Sequence, residues 1–393
     1  MRPGTFAFTL VLGLLGALPP LSIDISAPTL LTIQSQFGVT SAIGVLTITL
    51  FMVGFAAGQF TAGPLSDRHG RRPLLLLGLT VYTVAAVGCA LAGSMATLVS
   101  WRLLQGAGAG ACSVLTFAII RDVFEGDQAR AKRSYITVVF GVAPMLAPIL
   151  GAFIMEQAGW RFVHVVLAIA GLALMLAVTA GIAESRPAQA VRGTMRGAYW
   201  MVLSNGRFMG LVAVNALSYG SIFAYIAGSS ALLMGSLGLT PFGYGVVFAC
   251  TAAMLTAGSW ISGRSAMRGV PANTVLWLGL GLGAASGLAL AVVTGLGASS
   301  VAVIVLILMV NLFARGLTAP NIQHIALEPI REQAGTAAAT VGVIQILSGA
   351  AASGIVALLL PQFGAWGVAV VIAGLSVAAV LGWTLMARAF ATT

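Results

Sequence analysis

Gly63-Pro64-Leu65-Ser66-Asp67-Arg68-His69-Gly70-Arg71-Arg72 decides how this chain is read. Asp67, Arg68, Arg71 and Arg72, with His69 among them, crowd together in a protein of which only 7% is charged. Apolar runs flank the stretch on both sides, residues 41–62 before it and 73–92 after it. Each of these charges would cost about 3 kcal/mol even on lenient insertion scales if it lay in hydrocarbon. The stretch is therefore expected as a tight hairpin in water between two membrane-spanning helices. Its arginine excess puts it on the cytoplasmic side. Gly63-Pro64 is expected to end the first helix, and Pro73 suits the first turn of the second.

Composition extends this reading to the whole chain. Of 393 residues 59% are hydrophobic and 49 are glycine, whereas a soluble domain is about a quarter charged. The apolar runs are about 20 residues long, the length of a helical span, and no short alternating strands of a barrel are visible. The fold class is an all-α polytopic membrane protein. Reading apolar runs between polar breaks gives twelve spans, at 6–32, 42–62, 73–93, 97–120, 134–155, 162–183, 207–233, 242–262, 273–295, 299–323, 334–360 and 364–387. With both termini inside, 16 of the 19 basic residues fall in cytoplasmic segments, and Arg161 alone falls in an outer loop. That asymmetry is the positive-inside rule. It also accounts for the net charge of +10: the arginines are dispersed among loops and form no clustered nucleic-acid patch.

Three further readings bound the chain. Cys89, Cys112 and Cys250 sit inside apolar runs with no metal-ligand spacing and read as small apolar residues. His69, His164 and His324 have no metal-spaced partners, so no metal is expected. The N-terminal run is too long for a signal-peptide core and is broken by Pro19-Pro20 and Asp24, so it reads as an uncleaved first span.

The longest polar break, 184–206, contains Pro187 and divides the chain into a six-span bundle at 1–183, a cytoplasmic linker that is partly a surface helix, and a second six-span bundle at 207–393. Two repeated bundles are a transporter layout. A faint repeat supports it: Ser262-Gly263-Arg264-Ser265-Ala266-Met267-Arg268 follows span eight as Gly63–Arg72 follows span two, without the aspartate.

Among residues able to carry chemistry, Asp24 stands well inside an apolar run. A carboxylate there is expensive unless it is protonated, paired or facing a wet cavity. Its functional reading is a proton or substrate site, and its bland reading is a satisfied group pairing two helices. Pro19-Pro20 and Pro28 are expected to disrupt the helix around it and free backbone groups. Arg102, near the outer part of span four, either snorkels to the interface or points inward toward Asp24. The glycines after it let this helix approach a neighbour closely. Arg315, inside span ten, either reaches lipid or the inner interface, or faces a substrate cavity. In the latter case neutral-polar, zwitterionic or anionic substrates would suit it better than lipophilic cations. Asn215, Ser218, Tyr219 and Ile222 share one face of span seven, and Trp260, Asn311 and Gln345 could add hydrogen bonds from the second half. The bland reading of each is an interhelical hydrogen bond, worth about 0.6 kcal/mol. Phe140–Gly151, with Pro144 and Pro148 four apart between Gly141 and Gly151, reads locally as a bent packing helix.

The G-P-L-S-D-R-x-G-R-R stretch resembles the signature loop of the major facilitator superfamily. Arg102-Leu103-Leu104-Gln105-Gly106-Ala107-Gly108 is similar to the R-x-x-Q-G-x-G pattern of its proton-coupled members, and Gly141–Gly151 to the motif of its antiporter branches. With Arg121-Asp122-Val123-Phe124 and Ala334-Gly335-Thr336-Ala337, these patterns resemble the bicyclomycin and chloramphenicol resistance branch, densely in the N-terminal half only. The resemblance implies a major facilitator fold and export of a small molecule in exchange for protons. It makes Asp24 the proton or substrate site, Arg102 its modulator, and Gly63, Asp67, Arg68, Gly70, Arg71 and Arg72 a gating loop. Gly141, Pro144, Pro148 and Gly151 form its antiporter helix. Some relatives carry a second acidic residue before the Asp24 position; Gly13, Gly16 and Ala17 stand there here. The loop is expected to hold the cytoplasmic side shut, through Asp67 at the start of span eleven and Arg71 or Arg72 on Glu328 and Glu332. A monomer in the bacterial inner membrane is expected, with substrate, protons and lipid as partners, a proton gradient in place of a cofactor, and no enzymatic activity. No metalloprotease or serine-hydrolase motif is present. The alternative is a proton-coupled uptake symporter of the same fold for a small polar or anionic metabolite.

Overall fold

The computed structural model describes residues 5–124, 126–185, 195–297, 300–327 and 334–391. All regular structure there is helical. The first unit holds α1 (Phe6–Asp24), α2 (Leu30–Phe37), α3 (Ser41–His69), α4 (Arg71–Ala90), α5 (Met95–Val123), α6 (Gly126–Ala158) and α7 (Trp160–Gly181). The second holds α8 (Met195–Ser204), α9 (Gly206–Ser230), most of α10 (Pro241–Met267), α11 (Ala272–Gly295), α12 (Val301–Leu327) and α13 (Ala334–Ala391). Ten helical segments among the described residues are long and apolar enough to cross a membrane. One of them, Thr340–Ala387, runs 48 residues and is interrupted at Gly364, whose backbone is non-helical (φ 54°, ψ −136°). A left-handed φ of this kind is readily adopted only by glycine.

Glycine also sets the closest helix contacts. A Cβ on Gly54 or Gly58 of α3 would strike the Leu103 or Ala107 carbonyl of α5, and one on Gly106 or Gly110 of α5 would strike the Phe51 or Phe55 carbonyl of α3. Small residues four apart on each helix thus bring backbone against backbone, the packing that holds helices together where lipid removes the hydrophobic drive. The second unit repeats the device between α10 and α12, through Gly258 against Phe313 and Gly316 against Leu255.

Two sequence expectations change. First, α3 does not end at Gly63-Pro64; it runs through Pro64 to His69, and the turn is Gly70 alone (φ 99°, ψ 154°). The added helical turn carries Ser66 and Asp67, both of which hold Arg71. Pro73 does fall in the first turn of α4. Second, α1 is continuous through Pro19 and Pro20. Neither proline can donate to the carbonyls of Leu15 and Gly16, but the chain leaves the helix only after Asp24, passing into a 3₁₀ turn at Ala27–Thr29 before α2. Within the segment expected as linker, α8 is helical and buries Val202 against Phe208, Val212, Ala337 and Val341.

Candidate functional site at the break in span one

Asp24 is the last residue of α1 and is 3% exposed. The break beside it is covered by an apolar cluster of Ile25, Ala86, Ala147, Val163, Leu167 and Ala168. Gly151 of α6 lies directly on it, since a Cβ there would strike the Ile25 carbonyl. Pro148 of the same helix is buried, Pro144 is half-buried, and Gly141 lies within the helix backbone. The proline-glycine helix therefore packs against the residue that follows Asp24. Among the described residues the Asp24 carboxylate takes part in no hydrogen bond or ion pair.

Arg102 of α5 points inward and is 1% exposed, which decides against snorkelling. It does not form an ion pair with Asp24. Its Nη1 donates to the Ser22 carbonyl (3.2 Å) and to Gln105 Oε1 (2.8 Å), its Nε donates to the Thr47 carbonyl (3.3 Å), and its Cζ lies 4.4 Å from the Phe51 ring centre. Ser22 is tied in from the other side. Its hydroxyl donates to the Leu18 carbonyl, so the Tyr82 hydroxyl, 2.6 Å away, is the donor to Ser22 Oγ. Arg102 Nη2 and Gln105 Nε2 are buried with no acceptor. Buried donors without acceptors each cost about 1–3 kcal/mol. Two unmatched donors therefore lie on the Arg102 side of α1, which Arg102 meets at the Ser22 carbonyl, two residues before Asp24. The sequence named Asp24 and Arg102 but missed Gln105, Ser22 and Tyr82. The i, i+3 spacing of Arg102 and Gln105 on one helix face was the available signal for the first.

The signature loop forms a second polar group. Arg71, buried, has Nη1 2.6 Å from Asp67 and donates through Nε to Asp122 Oδ2 at 2.9 Å. Gly70 leaves room for Glu184, whose oxygens accept from the backbone N–H of Arg71 (2.8 Å) and Arg72 (3.1 Å). A carboxylate thus caps the N-terminus of α4, where the exposed N–H groups and the helix dipole favour an anion. Arg72 also reaches the Thr179 carbonyl (2.8 Å), while Arg68 and His69 are exposed, and Gly63 is half-buried within α3. Asp67, Arg71 and Arg72 thus have partners inside the first unit; Glu328 and Glu332 lie outside the described residues.

The second unit scatters its candidates. Arg315, 1% exposed, donates through Nη1 to Ser218 Oγ (2.8 Å) and through Nη2 to Ser221 Oγ (3.2 Å) and Ser376 Oγ. It therefore lies inside its bundle rather than at a lipid or aqueous interface. Asn311 is held by the Gly283 carbonyl (3.1 Å) and Ser286 Oγ (2.9 Å) of α11. Asn215 is buried, with its Nδ2 unmatched. Tyr219 packs on Phe223 with ring centres 5.0 Å apart, and Gln345 is half-buried on α13. Trp260 is 62% exposed beneath Arg264 and does not join the Arg315 group. Among the described residues no group of three or more His, Cys, Asp or Glu side chains could hold a metal ion.

Comparison with known proteins finds a match to the family model described as Major Facilitator Superfamily over residues 12–353. The chain is 33% identical to the MFS-type transporter YdgK of Bacillus subtilis (strain 168) over 66% of each protein. It is 30% identical to the bicyclomycin resistance protein homolog of Haemophilus influenzae over 70% of each. It is 31% identical to the chloramphenicol resistance protein of Pseudomonas aeruginosa over 66% of this chain and 62% of that protein. These matches thus span about two thirds of the relatives' length. The fold resembles a bacterial homologue of the lysosomal transporter Spinster (TM-score 0.79, 14% identity, 99% and 98% of the two chains). It also resembles the D-xylose–proton symporter (TM-score 0.77, 17% identity, 96% and 97%).

Proposed function

The chain belongs to the major facilitator superfamily, and from that premise we propose that it exports a small, antibiotic-like molecule or metabolite across the bacterial inner membrane in exchange for protons. The family's members are transporters, not enzymes, and the helices make this a multi-pass membrane protein. The proposed architecture is twelve spans with both termini inside, two bundles of six, and alternating access between them. Names of relatives that confer bicyclomycin or chloramphenicol resistance support the substrate class.

The observation that carries the reading is Asp24: a buried carboxylate with no partner among the described residues, placed where α1 breaks and two residues after the Ser22 carbonyl that Arg102 holds. Intramembrane carboxylates of this kind mark proton relays and substrate paths. In the proposed cycle Asp24 is protonated from outside and releases its proton inward, and substrate and proton compete for it. Arg102 is held on the Ser22 carbonyl, so a change at Asp24 reaches it through two residues of backbone. One charge moved per cycle would add about 2.3 kcal/mol of drive per 100 mV.

The test is a resistance screen in an efflux-deficient bacterial host, over a compound panel that includes bicyclomycin and chloramphenicol. The expected result is raised resistance to at least one compound with the wild-type chain and none with Asp24→Asn at equal membrane abundance. Uptake of a compound driven by an inward proton gradient, outside acidic and inside alkaline, would overturn export and favour the symporter.

A further inference from the structure

Arg315 sits in an environment made of hydrogen-bond donors. Its side chain is 1% exposed, and among the described residues no carboxylate lies within ion-pair distance of it. A guanidinium keeps its charge in proteins, and an uncompensated charge in such an interior costs several kcal/mol. Three hydroxyls accept from it, but they bring hydrogens of their own. Ser376 donates its hydroxyl to the Ile372 carbonyl. Ser218 has no acceptor for its hydroxyl among the described residues, and Ser221 has only the 3.4 Å contact to Ser376 Oγ. Arg315 Nε is buried without any partner, and Nη1, with two hydrogens, meets one acceptor. The group therefore holds one positive charge and at least three uncommitted donors.

On α11 no side chain stands between the group and the helix: a Cβ built on Gly283 would lie 3.4–3.7 Å from three guanidinium atoms, ordinary contact distance. The serines lie on α9 and α13 and the arginine on α12, so the group is complete within the second unit.

We propose that Arg315, Ser218 and Ser221 bind a compact anion, a halide or the carboxylate of a small acid. The anion supplies the missing counter-charge and accepts from the uncommitted N–H and O–H groups, as charge-assisted hydrogen bonds favour. This site is separate from Asp24 and does not depend on the direction of transport.

The experiment is equilibrium binding of radioactive chloride to the purified full-length protein in detergent with gluconate as the replacing salt, no pH gradient being applied. Saturable binding near one per chain is expected. Ser218→Ala and Ser221→Ala, which keep the charge, are expected to weaken it at least tenfold, and Arg315→Gln to abolish it, with Asp24→Asn and Arg102→Gln unchanged. Competition with acetate separates the two sources: displacement at lower concentration than chloride assigns the site to a carboxylate, and the reverse assigns it to a halide. Absence of saturable binding of either anion, or binding that Ser218→Ala and Ser221→Ala leave intact, overturns the proposal.

Discussion

Two arginines are buried to the same degree, one in each unit, on helices that correspond in the proposed six-plus-six repeat, and they are solvated in opposite ways. Arg102 on span four rests on fixed acceptors: two main-chain carbonyls, an amide oxygen and an aromatic face. Arg315 on span ten rests on three serine hydroxyls. A carbonyl of a helix cannot turn away, so Arg102 is pinned to the backbone of spans one and two and registers any shift there. A hydroxyl can rotate and exchange accepting for donating, so the Arg315 group can reorganise around an incoming charge without moving a helix. The acid of the first bundle lies two residues from an Arg102 contact, whereas no carboxylate of the described residues lies within ion-pair distance of Arg315. The residues proposed for coupling thus lie in the first unit, and the second holds a charge that nothing described in it neutralises.

The largest effects that would break this comparison are in the glycine contacts that bring span two against span four and span eight against span ten. Gly106→Leu and Gly316→Leu each drive a side chain into the facing backbone. Less than about a tenth of the wild-type yield of monodisperse protein is expected, since forced overpacking costs about 1–3 kcal/mol or more against a marginal total. Gly281→Leu, with nothing within 4 Å of its Cβ, is the control expected to leave the yield unchanged. Equal losses at all three positions would dissolve the repeated-packing reading.

Exchanging arginine for lysine sharpens it next. Lysine cannot reach the Thr47 and Ser22 carbonyls and Gln105 with one planar fork, and each charged hydrogen bond is worth about 1.5–3 kcal/mol. Arg102→Lys is therefore expected to lower export of a compound found by the resistance screen by about tenfold or more. Arg315→Lys, which keeps a charge among rotatable hydroxyls, is expected to stay within about threefold. The check is initial export rate normalised to membrane abundance; a larger loss at Arg315 would reverse the assignment of coupling to the first bundle. Gln105→Ala removes one Arg102 acceptor and is expected to cost about tenfold in the same assay, one charged hydrogen bond at the low end of its range. Ser376→Ala is expected to leave the rate within about twofold.

The smallest effect concerns the signature loop. Glu184→Ala removes the cap of α4 and is expected to cost about 1 kcal/mol, read as a fall of a few degrees in melting temperature of the detergent-solubilised protein. An unchanged melting temperature would mean that Glu184 does not anchor the loop.

How much of this was legible in the sequence follows from range. Helical spans, the polar break near 184 and the buried acid at 24 are local features of hydropathy, and the chain shows them directly. The glycine pattern after Arg102 announced close packing, and α3 and α5 carry it out. The end of α3 was misplaced because Gly-Pro reads locally as a stop, while the extra turn exists for partners found only in three dimensions, Arg71 and through it Asp122. Glu184 lies 113 residues from the helix it caps, and no spacing rule joins them. Arg315 stood out as an arginine in an apolar run, but Ser376 reaches it from 61 residues away, and serines are common enough in helices to carry no signal of their own.

Everything proposed about coupling rests on whether the carboxylate at the end of α1 exchanges protons in step with substrate. In inside-out membrane vesicles with an acidic lumen, given from outside a compound identified by the resistance screen, wild-type protein is expected to accumulate the compound and alkalinise the lumen together. Asp24→Asn is expected to do neither, at equal abundance. Compound-dependent proton release that persists at the wild-type rate in Asp24→Asn would contradict it.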